Sequence, residues 1–88
     1  MDAPDPDFRH DLPDDLAARL GAHAALAGMW DDLTALARND YICWVISAKK
    51  DETRRKRLAR LEEEVLGGKR RPCCFPGCPH RLASARGY

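Results

Sequence analysis

The side chains with the most chemistry in this chain fall in one short segment, Cys73-Cys74-Phe75-Pro76-Gly77-Cys78-Pro79-His80. Cys73, Cys74, Cys78 and His80 offer three sulfurs and an imidazole on a Pro-Gly turn, and zinc takes four such donors in a tetrahedron. The pattern departs from the usual structural site, which joins two separated knuckles. Adjacent cysteines rarely both reach one ion, and there is no second C-x-x-C. Three readings are open: a zinc or other metal site, a thiol redox pair, and a tail that holds nothing, which is the commonest outcome for such a segment. No other cofactor is suggested. Cys43 lies in an apolar run and reads as a core residue.

A second group is cationic. Lys49, Thr53 and Arg57 are spaced by four, so a helix through them would carry them in one stripe with Arg54 beside it. Such a face suits a carboxylate, phosphate or lipid head group, which makes an acidic protein or an anionic surface the implied partner. The plainer reading is a solvated face paired with acidic residues of the same chain. Nucleic acid is disfavoured by a formal net charge of +1, a pI near 7.7 and the lack of a recognition motif. Self-association into a homodimer is compatible with the sequence. His10 and His23 have no partner at a useful spacing, and there is no Ser/His/Asp set, phosphate loop or paired carboxylates, so no enzyme is expected.

These residues need elements to hold them. The 88 residues allow one small domain with flanking segments. Residues 1–12 alternate Asp, Pro and Ala without periodicity and read as a disordered acidic arm. Pro13-Asp14-Asp15 marks a helix start, with Leu16 and Leu20 on one face and Gly21 at the end. Leu26, Met29, Trp30 and Leu33 form a second helical stripe, with Trp30 and Trp44 as core anchors. Thr34 suits an N-cap for a third helix, central and touched on two sides, whose apolar rhythm runs through Leu36, Ala37, Tyr41, Trp44, Val45 and Ala48. A last helix spans about Asp51–Leu66 and stops at Gly67-Gly68, unless Tyr41–Leu66 is one long kinked helix. Residues 69–88 form a basic Cys/Pro-rich tail without a core of its own. The fold class is all-α, a bundle of three to four helices over residues 13–68.

Charge is divided along the chain. Residues 1–40 carry nine Asp against three Arg, and residues 41–88 carry twelve Lys or Arg against five Asp or Glu. The halves either pack on each other or serve separately as an acidic arm and a basic surface. No apolar run is long enough to span a membrane, and no secretory signal pattern opens the sequence, so a cytoplasmic address with reduced thiols is expected.

The pattern Trp44-Val45, Ala48-Lys49, Thr53-Arg54, Arg57-Leu58, with Leu12-Pro13-Asp14-Asp15-Leu16 before it and Gly68-Lys69-Arg70 after, resembles a known family. From about Leu12 to Arg71 the chain is similar to the C-terminal helical domain of the bacteriocin-protection, YdeI/OmpD-associated family. The resemblance implies a small all-helical domain linked to bacteriocin or stress tolerance, without established catalytic residues. Members often carry a larger domain ahead of this module.

Overall fold

The computed structural model describes residues 7–72, 75 and 77–81. Four helices follow one another: α1 (Asp14–Ala22), α2 (Ala24–Asp32), α3 (Ala35–Ile46) and α4 (Asp51–Leu66). No strand occurs among the described residues. The all-α expectation holds, and the break at residues 47–50 excludes a single helix from Tyr41 to Leu66.

Each helix end has a local cause. Pro13 is the N-cap of α1, with Asp14 and Asp15 in the first turn at the positive end of the dipole. Gly21 does not stop α1, which runs one residue further to Ala22. His23 makes the corner. Its N–H donates to the Leu20 carbonyl, ending α1, and its Nδ1 accepts from the Leu26 N–H, starting α2. Thr34 caps α3 as expected, its Oγ1 accepting from the Ala37 N–H at 3.1 Å. After α4, Gly68 takes the left-handed conformation (φ 91°). The Gly68 N–H then reaches the Val65 carbonyl and the Lys69 N–H the Glu64 carbonyl. That pair of bonds is a Schellman motif, which satisfies the last carbonyls and turns the chain sharply.

The core lies between α3 and the other helices. Leu16 of α1, Leu26 and Trp30 of α2, and Leu58, Leu61 and Val65 of α4 are all buried. They pack with Ala37, Tyr41, Ile42, Trp44 and Val45 of α3. Eight of the twelve α3 residues are buried, including the polar Asn39 and Asp40. A helix apolar on more than one side must be covered on more than one side. Leu36 falls outside this face and is 41 % exposed.

Residues 7–12 depart from the disordered arm expected of them. The His10 N–H donates to Asn39 Oδ1 of α3 at 2.7 Å, and Phe8 packs edge-on against the His10 ring. The tail also reaches the core, through half-buried Phe75 and fully buried Cys78. Periodicity carries no trace of either contact, because single residues make them rather than a helical face.

Three ion pairs join elements across the bundle: Arg54 to Asp15, Arg19 to Glu62, and Arg71 to Asp40. Two of them link the acidic first half to the basic second half. The i,i+4 pairs Glu52–Lys56 and Arg60–Glu64 also form. The Asp15–Arg54 contact is bidentate, Nε donating to Oδ2 at 2.6 Å and Nη2 to Oδ1 at 3.1 Å. The hydrogen bond from Arg54 holds the Asp15 carboxyl below its ordinary range, against a smaller opposing effect of burial.

A carboxyl depressed on folding stabilises the protein above its unfolded pKa, and that contribution fades as pH falls through the folded value. Asp15→Asn should therefore lower the melting temperature at neutral pH and converge with the wild type under acid conditions. Because the Asp15 side chain is 40 % exposed, the pair is worth about 0.5–1 kcal/mol. An Asp15→Asn/Arg54→Gln double-mutant cycle by thermal denaturation measures it, and the coupling should shrink in high salt.

Candidate metal centre

Asn39, Asp40 and Cys43 lie three and four residues apart on α3, hence on one side of it, and all three are buried. By taking the His10 N–H, Asn39 seats the N-terminal segment one helical turn from Cys43. From the other direction the tail turns at Gly77, whose φ of 119° suits glycine alone. The Arg81 N–H then donates to the Cys78 carbonyl at 3.1 Å, closing a turn over Cys78-Pro79-His80-Arg81. That turn folds the His80 ring back toward the Cys78 sulfur.

The outcome is a cluster of His10, Cys43, Cys78 and His80 whose ligand atoms all lie within 4.8 Å of one another. Cys78 Sγ is 3.4 Å from His10 Nε2 and 3.6 Å from His80 Nδ1, and Cys43 Sγ is 3.9 Å from His80 Nδ1. Zinc–sulfur bonds of about 2.3 Å and zinc–nitrogen bonds of about 2.0–2.1 Å at the tetrahedral angle put sulfur and nitrogen about 3.6 Å apart. The three edges bracket that value. His10 and His80 meet edge to face at 4.8 Å between ring centres, and Phe8 lies against both rings.

Electrostatics fit the same use. Burial, with His80 nearby, lowers the His10 pKa, so its imidazole is neutral and able to coordinate at physiological pH. Burial, then the neighbouring Cys78 and Asp40, pushes the Cys43 thiol up to about 12. A divalent cation would reverse that preference, since two thiolates and two neutral imidazoles around it sum to zero charge. If all four donors bound one ion, no position would be left open for water or substrate, which is the arrangement of a structural site.

Of the ligands expected from sequence, Cys78 and His80 are in the cluster, and Cys73 and Cys74 lie outside the described residues. His10 and Cys43 are the residues sequence reasoning passed over, one as partnerless and the other as plain core. The usable signal was Cys43 beside two polar residues, Asn39 and Asp40, on the helix of greatest apolar content.

The cationic group is dispersed. Lys49 sits exposed in the α3–α4 connection, not on the helix with Thr53, Arg54 and Arg57. Helix α3 stops short of it because the Ser47 hydroxyl turns back to the Trp44 carbonyl. Thr53 is half-buried. Arg54 is engaged by Asp15, and Arg57 Nη1 donates to the Trp44 carbonyl at 2.6 Å and to Ser47 Oγ at 2.9 Å. The Arg57 guanidinium also lies 5.7 Å from the Trp44 ring centre. Both arginines thus serve the bundle.

Fold and site together define a small all-α module with a Cys2His2 cluster that ties both flanking segments to its central helix. The chain belongs to the bacteriocin-protection, YdeI or OmpD-associated family (OmdA), whose model matches residues 10–67. No curated protein and no solved structure matches. His10 stands at the first matched position, Cys43 lies within the match, and Cys78 and His80 lie beyond it.

Outer partners that bond a metal-ligating ring typically carry about 10–100-fold in affinity. Asn39 instead holds the His10 backbone, so Asn39→Ala should loosen the N-terminal segment and weaken any metal binding at this cluster while the far-ultraviolet helical signal persists. Competition with a chromophoric chelator, run beside circular dichroism, measures both.

Proposed function

We propose that this chain is a non-enzymatic helical module whose flanking segments are held on α3 by one zinc ion at His10, Cys43, Cys78 and His80. The observation that carries the reading is the convergence of two soft and two borderline donors, from three separate parts of the chain, with three sulfur–nitrogen separations of 3.4, 3.6 and 3.9 Å. Zinc fits this donor set best among common metals, because thiolate and imidazole together in four-coordination suit it. The two cysteines are free thiols, as coordination requires. In a domain this small, closing two flanking segments with one ion would supply stability that the hydrophobic core alone provides sparingly.

The family's description names bacteriocin protection, and on that support we assign the module a binding role in such a context. With Arg54 and Arg57 used within the bundle, Lys49 is the member of the cationic group that stays exposed for an acidic partner. No helix among the described residues is long and apolar enough to cross a membrane. We place the module in the cytoplasm, where reducing conditions favour thiolate coordination over disulfides.

Elemental analysis and native mass spectrometry of untagged protein should find one zinc per chain. Cys43→Ser, Cys78→Ser and His10→Ala should each lose it, while Cys73→Ser and Cys74→Ser should retain it. Cobalt substitution should give the visible bands of a tetrahedral dithiolate centre. Chelation should lower the melting temperature by roughly 10 °C or more, at about 4–8 °C per kcal/mol for a domain of this size. Protein purified without metal, with a melting point indifferent to zinc, would refute the reading.

A further inference from the structure

Cys43 and Cys78 are free thiols whose sulfurs lie within 4.8 Å of each other. They come from unrelated parts of the chain, the middle of α3 and the tail, and only the fold makes them neighbours. A disulfide holds its sulfurs about 2.0 Å apart, so the two thiols must close by less than about 3 Å to join.

One of the two is free to make that movement. Cys43 is fixed in α3, where its carbonyl accepts the Ser47 N–H at 3.0 Å. Cys78 lies outside any helix, and its carbonyl accepts the Arg81 N–H, a bond that closes the turn on itself rather than on α3. Segments held by few backbone bonds to their neighbours open at less cost than the whole fold. Both cysteines are buried, at 1 % and 0 % exposure, but Pro79 and His80 of the same turn stand exposed. Opening of the turn therefore presents Cys78 to a small solute, and reclosing returns it to Cys43.

We propose that peroxides join Cys43 and Cys78 in a reversible disulfide, which displaces the zinc ion and exchanges a metal clamp for a covalent one. The displacement rests on the zinc reading above, whereas the pairing rests on the placement of the two thiols. The Cys78 sulfur attacks one peroxide oxygen, forming a sulfenic acid as the O–O bond breaks and the other oxygen leaves as water. The Cys43 sulfur then attacks the Cys78 sulfur and expels the second oxygen as water. The two sulfurs together give up two electrons, and the peroxide takes them. The two protons this consumes come from the thiols in the zinc-free chain and from solvent when the sulfurs start as zinc thiolates. Two of the four donors are then gone, and the imidazoles of His10 and His80 are too few to retain the ion. The tail stays tied to α3, whereas the N-terminal segment loses its metal tie.

The test uses the full chain with Cys73→Ser and Cys74→Ser, which leaves Cys43 and Cys78 as the remaining thiols. It is treated with hydrogen peroxide both as purified and after chelation. Intact mass should show a monomer lacking two hydrogens relative to the reduced chain, and a chromophoric chelator should register one zinc released per disulfide. Dithiothreitol should restore both thiols and zinc uptake. The oxidised chain should melt above the reduced zinc-free chain, since a disulfide that fits the native geometry stabilises it. A disulfide with that stabilisation in a chain that never held zinc supports the pairing and overturns the zinc reading alone. Zinc retained through peroxide treatment, sulfinic acids in place of a disulfide, disulfide-linked dimers, or a melting temperature lowered by oxidation would each overturn the proposal. In the first of these the zinc reading stands.

Discussion

Burial of α3 on nearly every side is the constraint on which the rest of this structure depends. A twelve-residue helix with eight buried positions needs cover from more than its two helical neighbours. The cover comes from the segment around Phe8 and His10 on one flank and from the tail around Cys78 on another. Because α3 carries Asn39, Asp40 and Cys43 into the interior, whatever covers it must also answer polar groups. Buried polar atoms without partners are costly, so the covering segments bring a backbone N–H to Asn39, a guanidinium to Asp40 and two imidazoles and a thiol to Cys43. The candidate metal centre is thus the polar answer to an unusually buried helix.

The charges of α4 follow from the same packing. Lys and Arg near its start and three consecutive Glu near its end oppose its own dipole. Neighbouring elements reconcile them. Arg54 meets Asp15 in the first turn of α1, and Glu62 meets Arg19. Arg57 reaches the carbonyl end of α3, where a positive charge is favoured. Glu64 is drawn inward toward Arg60 and the Tyr41 hydroxyl. Burial, followed by the Glu64 charge, raises the Tyr41 pKa well above that of an ordinary phenol, so it remains a hydrogen-bond donor. A cationic run that suggests a partner surface is in good part an internal set of ties.

The family match stops at residue 67, just where Gly67 and Gly68 turn the chain back. The helical module is the shared part, and Cys78 and His80 come from a segment outside it. A ligand pair supplied by a tail, completed by His10 and Cys43, would give one metal ion hold of three chain segments. Ions stabilise folded states to the extent that the unfolded chain cannot assemble the site, and donors this dispersed have little chance of meeting in an unfolded ensemble.

What the sequence determined by itself was local and periodic. Apolar residues at three- and four-residue spacing set the helices, Thr34 set a cap, Gly67-Gly68 set a stop, and the run around Tyr41–Val45 announced a central helix. Each of these is written within a few residues of where it acts. The composition of the Cys2His2 cluster was decided only by the tertiary structure. His10, Cys43 and the Cys78–His80 turn are far apart along the chain, and no short spacing rule connects them. They meet because Asn39 fixes one segment on the α3 face that bears Cys43 and because the tail folds back onto that face. The uses of Arg54 and Arg57 were likewise decided in three dimensions, since a guanidinium's partner depends on which helix end or carboxylate the packing sets beside it.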